Sequence, residues 1–75
     1  MKELVETIAK ALVDHPEEVT VTENIDGKNV EINLHVASSD MGKVIGKQGR
    51  IAKAIRTIVK SAATRNNQKV TVDID

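Results

Sequence analysis

The 75-residue sequence contains no cysteine, no Phe, Tyr or Trp, and a single proline, Pro16. Without cysteine there is no disulfide to support a small domain and no thiolate to bind a metal. A chain this short buries a limited share of its surface, so its core rests on aliphatic residues; the hydrophobic fraction is 40%. No apolar run approaches the roughly 20 residues that span a bilayer. Met1 leads directly into a charged, amphipathic segment rather than a signal peptide, so the chain reads as one cytoplasmic domain.

A second absence is local. From Met41 to Lys69 there is no Asp or Glu. The net charge of zero therefore hides a segregation. Residues 1–40 carry three basic and nine acidic residues, a balance of −6, and residues 41–75 carry eight basic and two acidic ones, a balance of +6. Such an arrangement suits a polyanion-binding face, or a dipole that merely solvates two faces.

Periodicity divides the chain into elements. Leu4, Val5, Ile8, Ala9, Leu12 and Val13 form one apolar stripe at helical spacing, predicting a helix from about Lys2 to Asp14, stopped before Pro16. Val19, Val21 and Ile25 share one face of a first strand. Val30, Ile32, Leu34 and Val36 share one face of a second, with Glu31, Asn33 and His35 opposite. Asp26-Gly27-Lys28-Asn29 between them reads as a tight hairpin. Ser38, Ser39 and Asp40 are good N-caps for a short helix from about Asp40 to Ile45, ended by Gly46. A long helix from about Arg50 to Asn66 places Ile51, Ile55, Ile58, Val59 and Ala62 on one side and Arg50, Lys53, Arg56 and Lys60 on the other. Val70, Val72 and Ile74 alternate as a last strand. The order αββααβ predicts an α+β, two-layer sandwich: a three-stranded mixed sheet in chain order with three helices on one face. The first two strands should be antiparallel. The second and third should be parallel, through a right-handed crossover.

The stretch "MGKVIGKQGRIAKAIRTIVKSA", Met41 to Ala62, holds three glycines and six basic residues. A helix that ends at Gly46 and restarts near Arg50 presents amide hydrogens and the positive end of its dipole to phosphate oxygens. Gly46 and Gly49 would let a sugar-phosphate backbone approach closely, with Lys47 and Gln48 held outward as cation and donor. The structural alternative is a plain helix-turn-helix corner closed by glycines, which does not require an exposed Lys-Gln pair or a basic face.

Within it, "VIGKQGRIAKAIRTIV" resembles the KH-domain motif, whose GxxG loop clamps the backbone of about four single-stranded nucleotides. The αββααβ order resembles the type II, prokaryotic KH fold. The resemblance covers the whole chain and is similar to the family of small stand-alone bacterial KH proteins of the KhpA (YlqC) type. It implies a non-enzymatic binder of single-stranded RNA with low sequence specificity, an RNA chaperone or post-transcriptional regulator. Gly46, Lys47, Gln48 and Gly49 would hold phosphates; Met41, Gly42 and Ile45 would line the base groove; Arg50 and Lys53 would extend the backbone contacts. The loop from Arg65 to Lys69 would close the groove's far side, with the last strand as its wall. The lack of aromatics fits this family better than RNA-binding folds that stack bases on aromatic rings. The resemblance further implies a homodimer, or a heterodimer with another KH-domain protein. No cofactor or metal is expected.

Other chemistry finds little support. Gly42-Lys43-Val44-Ile45-Gly46-Lys47-Gln48 is one residue short of a P-loop and has Gln where Ser or Thr would bind magnesium. The G-x-G-x-x-G spacing is absent too. His15 and His35 read as solvated surface residues, and Asp73 and Asp75 as strand-edge charge rather than a cation site. An alternative function is a protein-interaction module acting through dimerisation. Its interface would lie on the long helix at Thr57 or Ser61, with Ile55 and Ile58 expected in the core.

Overall fold

A computed structural model describes the backbone of residues 1–75 and every side chain except that of Lys47. Helix α1 runs Lys2–Leu12 and a 3-10 turn Pro16–Glu18. Strands β1, Thr20–Asp26, and β2, Asn29–His35, follow; then helix α2, Ser38–Arg65, and strand β3, Lys69–Ile74. β1 pairs antiparallel with β2, Val21 opposite Leu34, and β2 pairs parallel with β3, Ile32 opposite Val72. The sheet order is β1-β2-β3. This is the expected α+β sandwich with a three-stranded mixed sheet in chain order, its three helical segments being α1, the 3-10 turn and one continuous α2. Gly27 has φ +60 in the two-residue turn between Asp26 and Asn29, the position where type II′ hairpins place glycine.

The core is the aliphatic set expected of the strands: Val21, Val30, Ile32, Leu34, Val36 and Val72, under Val5, Ala9, Val44, Ile55 and Val59 of the helices. Three expectations need correction. Ile25 shares the inward face of β1 but is 57% exposed, because the helical layer does not reach that end of the strand. Nearer to α1, the inward Glu23 carboxylate meets the Met1 ammonium at 3.6 Å and accepts the Lys2 N–H at 3.2 Å. On α2 the buried line is Ala52, Ile55, Val59 and Ala63, while Ile58 is 43% exposed. The helix is thus turned so that small residues, rather than the bulkier Ile58, lie closest to the sheet.

The third correction concerns Asp40. Helix α2 begins at Ser38 with Ala37 as N-cap and no side-chain cap. Asp40 sits in its first turn, fully buried, and its two carboxylate oxygens accept the Asp14 and His15 backbone N–H groups at 3.0 Å each. It satisfies donors left over where α1 ends, rather than capping its own helix, and so ties the end of α1 to the start of α2.

Candidate nucleic-acid interface

Helix α2 carries the whole candidate loop. Two separate helices were expected, the first ended by Gly46. The helical run instead continues through Gly46 as one element, and its backbone crosses into the left-handed region later, at Gln48 (φ 65) and Gly49 (φ 66). Left-handed backbone is costly for a residue with a Cβ, so Gln48 holds a strained conformation, whereas Gly49 adopts it freely. Beyond the adjoining residues and the helix's own backbone, no described atom lies within 4 Å of where a Cβ on Gly46 or Gly49 would be, so both glycines border open space.

The residues assigned to the loop and groove gather around this step. Met41 is half-buried against the core and Ile45, one turn on, is 53% exposed; Gly42 is also exposed. Gly46 and Gly49 are half-buried, and Gln48, Arg50 and Lys53 are exposed. The side chain of Lys47 lies outside the described ones. Lys43, by contrast, donates to Asp14 Oδ1 at 3.2 Å, so it is engaged by an acid of the acidic N-terminal segment.

Beyond the step, Arg50, Lys53, Arg56 and Lys60 are exposed. Among the described residues none of these four takes part in an ion pair. At 100° per residue, Lys53, Arg56 and Lys60 fall on one flank of the buried line Ala52–Ile55–Val59–Ala63. That flank faces β3, and the cleft between them is lined by Arg56, Lys60, Val70, Thr71 and Val72. The last strand therefore forms one wall of this cleft. Arg56 and Lys60 were not assigned to the site from sequence, although their spacing beyond Lys53 could have included them. The cleft has an apolar floor and a cationic rim, which suits bases lying against aliphatic side chains with phosphates toward the helix.

A different cleft opens on the other flank of α2, against α1, lined by Leu4, Thr57, Ile58, Ser61, Ala62 and Arg65. Among the described residues no helix is long and apolar enough to cross a membrane.

Comparison with known proteins places this geometry. The family model described as KhpA/KhpB, KH domain, matches residues 2–74. Proteins named RNA-binding protein KhpA from Clostridium perfringens and Clostridium acetobutylicum are 62% and 60% identical over 74 residues, covering 99% of this chain and 99% of each relative. The protein of the same name from Halalkalibacterium halodurans is 58% identical, covering 99% of this chain and 97% of its own. Among solved structures, the crystal structure of Era in complex with MgGDPNP and nucleotides 1506–1542 of 16S ribosomal RNA aligns with a TM-score of 0.58 at 18% identity. The alignment covers 97% of this chain and 28% of the Era chain. At that identity the likeness is one of fold.

Proposed function

The chain belongs to the KhpA/KhpB KH-domain family, and on that premise we propose that it is a non-enzymatic RNA-binding protein, a single KH domain over residues 1–75. The RNA is single-stranded and is clamped by its backbone at Gly46, Lys47, Gln48 and Gly49. Its bases lie against Met41, Gly42 and Ile45 and along the α2–β3 cleft, and Arg50 and Lys53 continue the phosphate contacts. The observation that carries this reading is the left-handed step at Gln48–Gly49, placed at the head of an acid-free helical segment whose Arg50, Lys53, Arg56 and Lys60 form no ion pair among the described residues. A strained residue at an exposed bend suits a binding role, and unneutralised cations beside an aliphatic cleft suit a charged backbone with unstacked bases. No aromatic residue is present to grip a base, so sequence preference is modest. That fits an RNA chaperone or post-transcriptional regulator in the bacterial cytoplasm.

The test is fluorescence anisotropy of a labelled mixed-sequence single-stranded RNA at several salt concentrations. Lys47→Asp with Gln48→Asp should abolish binding and leave the circular dichroism spectrum unchanged. For the wild type, log K should fall linearly with log salt, by about 0.7 per phosphate contacted. A flat salt response, or full binding by the double variant, refutes the clamp.

A second reading is favoured by Ile58, which lies 43% exposed in the cleft against α1 beside Thr57 and Ser61. An exposed aliphatic in a concave patch suits a protein partner, either a second copy of this chain or another KH-domain protein. One KH clamp covers few nucleotides, and pairing two raises affinity through effective concentration. Sedimentation of wild type against Ile58→Asp tests it; an unchanged mass distribution removes this face from consideration.

A further inference from the structure

The α2–β3 groove does not end at the basic flank. Three adjoining clefts share walls. The first, bounded by Arg56 and Lys60, shares Lys60, Val70 and Thr71 with a second, which adds Thr64 and Gln68. The third shares Thr64, Gln68 and Lys69 with the second and reaches Lys28, Asn29 and Asn67 beside the β1–β2 hairpin. From Arg56 to Thr64 the three clefts follow α2 for about 12 Å, and Gly49 lies about 10 Å further back along the helix, at 1.5 Å per residue.

The chemistry changes along that track. Near the loop the walls are cationic. At the far end lies the C-terminus of α2, where the helix dipole is negative and disfavours a phosphate. The side chains there are three amides, Asn29, Asn67 and Gln68, flanked by Lys28 and Lys69. Each amide offers both donors and acceptors. Among the described residues none of these five side chains takes part in an intramolecular hydrogen bond or ion pair.

The backbone beneath them is well fixed. Gln68 N–H donates to the Ala63 carbonyl at 2.8 Å and Asn67 N–H to the Thr64 carbonyl at 3.1 Å, the paired bonds of a Schellman helix end. Lys69 N–H donates to the Lys28 carbonyl at 2.8 Å, joining this end to the hairpin. Asn67 has φ 56, at the position helices most often give to glycine. The chain carries an amide there instead, facing a cleft walled by two more.

We propose that this end of the groove is a base-reading subsite, which takes an unpaired adenine of the same RNA strand the loop holds. The chemistry is that of Asn and Gln, which pair bidentately with the N6 and N7 edge of adenine, while Lys28 and Lys69 hold the phosphates on either side. The subsite rests on the clamp reading above and adds to it a preferred base at one position outside the clamped nucleotides.

The experiment is an anisotropy series with a ten-nucleotide all-uridine RNA and a single adenosine walked through every position, followed by the same walk with guanosine. For the wild type, one adenosine position should tighten binding at least about fivefold over all-uridine, the lower end for one bidentate amide–base pair. Asn67→Gly with Gln68→Ala removes two amides while glycine keeps the left-handed turn. This variant should lose the adenosine gain, binding each adenosine-containing RNA no more tightly than it binds all-uridine RNA. Asn29→Ala, at the opposite wall, should reduce the gain without the helix end being touched. The subsite is overturned if no position gives a gain, if the gain survives the Asn67→Gly/Gln68→Ala variant, or if guanosine gains as much as adenosine. In each case the clamp stands so long as Lys47→Asp/Gln48→Asp still abolishes all-uridine binding. Absent wild-type binding, or binding indifferent to that double variant, overturns the clamp and the subsite together.

Discussion

Asp40 offers the sharpest test of how the loop-bearing helix is held in place. Its carboxylate is fully buried and accepts two backbone N–H groups from the end of α1, at 3.0 Å each. Hydrogen bonds to a charged group contribute about 1.5–3 kcal/mol each. Removing the carboxylate also withdraws an acid from the first turn of α2, a further 0.3–1 kcal/mol or so. Against this, the buried charge carries a desolvation cost that its removal relieves, and both N–H groups are only part-buried, so water can replace some of what is lost. The low end of the range applies, and Asp40→Ala should cost about 3 kcal/mol. At roughly 0.05–0.15 kcal/mol per residue, a domain of this length has some 4–11 kcal/mol in total. The loss is therefore a quarter or more of the whole. Urea unfolding followed by circular dichroism at 222 nm measures it directly. Thermal melts should fall by about 12–24 °C, at 4–8 °C per kcal/mol for a domain of this size. Asp40→Asn keeps one acceptor oxygen but turns its NH2 toward the other N–H, and should fall between wild type and Asp40→Ala. A loss below about 1 kcal/mol for Asp40→Ala would show that the α1–α2 junction does not depend on this carboxylate.

Gln48→Gly should separate stability from binding. A left-handed conformation costs a non-glycine residue about 1–2 kcal/mol, and the extra freedom of glycine in the unfolded chain returns some 0.4–1 kcal/mol of that. The variant should melt a few degrees higher and bind single-stranded RNA more weakly; lower stability with unchanged binding refutes a strained, functional Gln48. Gly49→Ala places its Cβ in open space beyond the adjoining residues and the helix backbone, but it must take φ 66. It should lose about 1 kcal/mol by chemical denaturation, and a neutral result would show that the backbone step relaxes. Glu6 tests a surface pair: Lys10 Nζ donates to its carboxylate at 2.9 Å and holds its carboxyl below the ordinary value. Its folded pKa is depressed, so the stabilisation is fully present above the unfolded glutamate value near 4.3 and is lost as pH falls through the folded value. Melting curves between pH 6 and 3 should therefore show a smaller acid loss for Lys10→Gln than for wild type, and identical acid limbs refute the pairing.

The strand layout was legible because Val30, Ile32, Leu34 and Val36 alternate without exception, and all four are buried. The face of α2 was legible only to within one residue. Hydropathy ranks Ile58 above Ala52 and Ala63, yet helix-to-sheet packing selected the alanines, because small side chains allow close approach. Burial of Ile25 depended on whether a helix extends over its end of β1, which no local pattern records. The hinge was placed two residues early for a similar reason. Glycine is the residue expected to leave the helical region, but here Gln48 and Gly49 leave it and Gly46 does not. Asp40 looked like an N-cap from its neighbours, whereas its partners lie 25 and 26 residues back along the chain. A pairing of that range has no signature in a single sequence.

The two flanks of α2 bear on whether RNA and a protein partner compete. Arg56 and Lys60 lie on the side of the buried line that faces β3, and Ile58, Ser61 and Arg65 on the side that faces α1. A partner seated on Leu4 and Ile58 would leave the α2–β3 groove open, and two clamps brought together in this way would act on one strand by effective concentration. Ile58→Asp should then leave binding of a short RNA, long enough for one clamp, unchanged, and weaken binding of a longer RNA that engages two. Equal weakening on both lengths would place the partner over the groove, and unchanged binding on both would mean that the clamps act singly. The same geometry gives the acid-free segment a consistent role. The acids concentrate before Met41, and among the described residues the Lys43–Asp14 contact is the one ion pair they form with α2, so that on the proposed reading the cations of its β3 flank would meet a phosphate backbone.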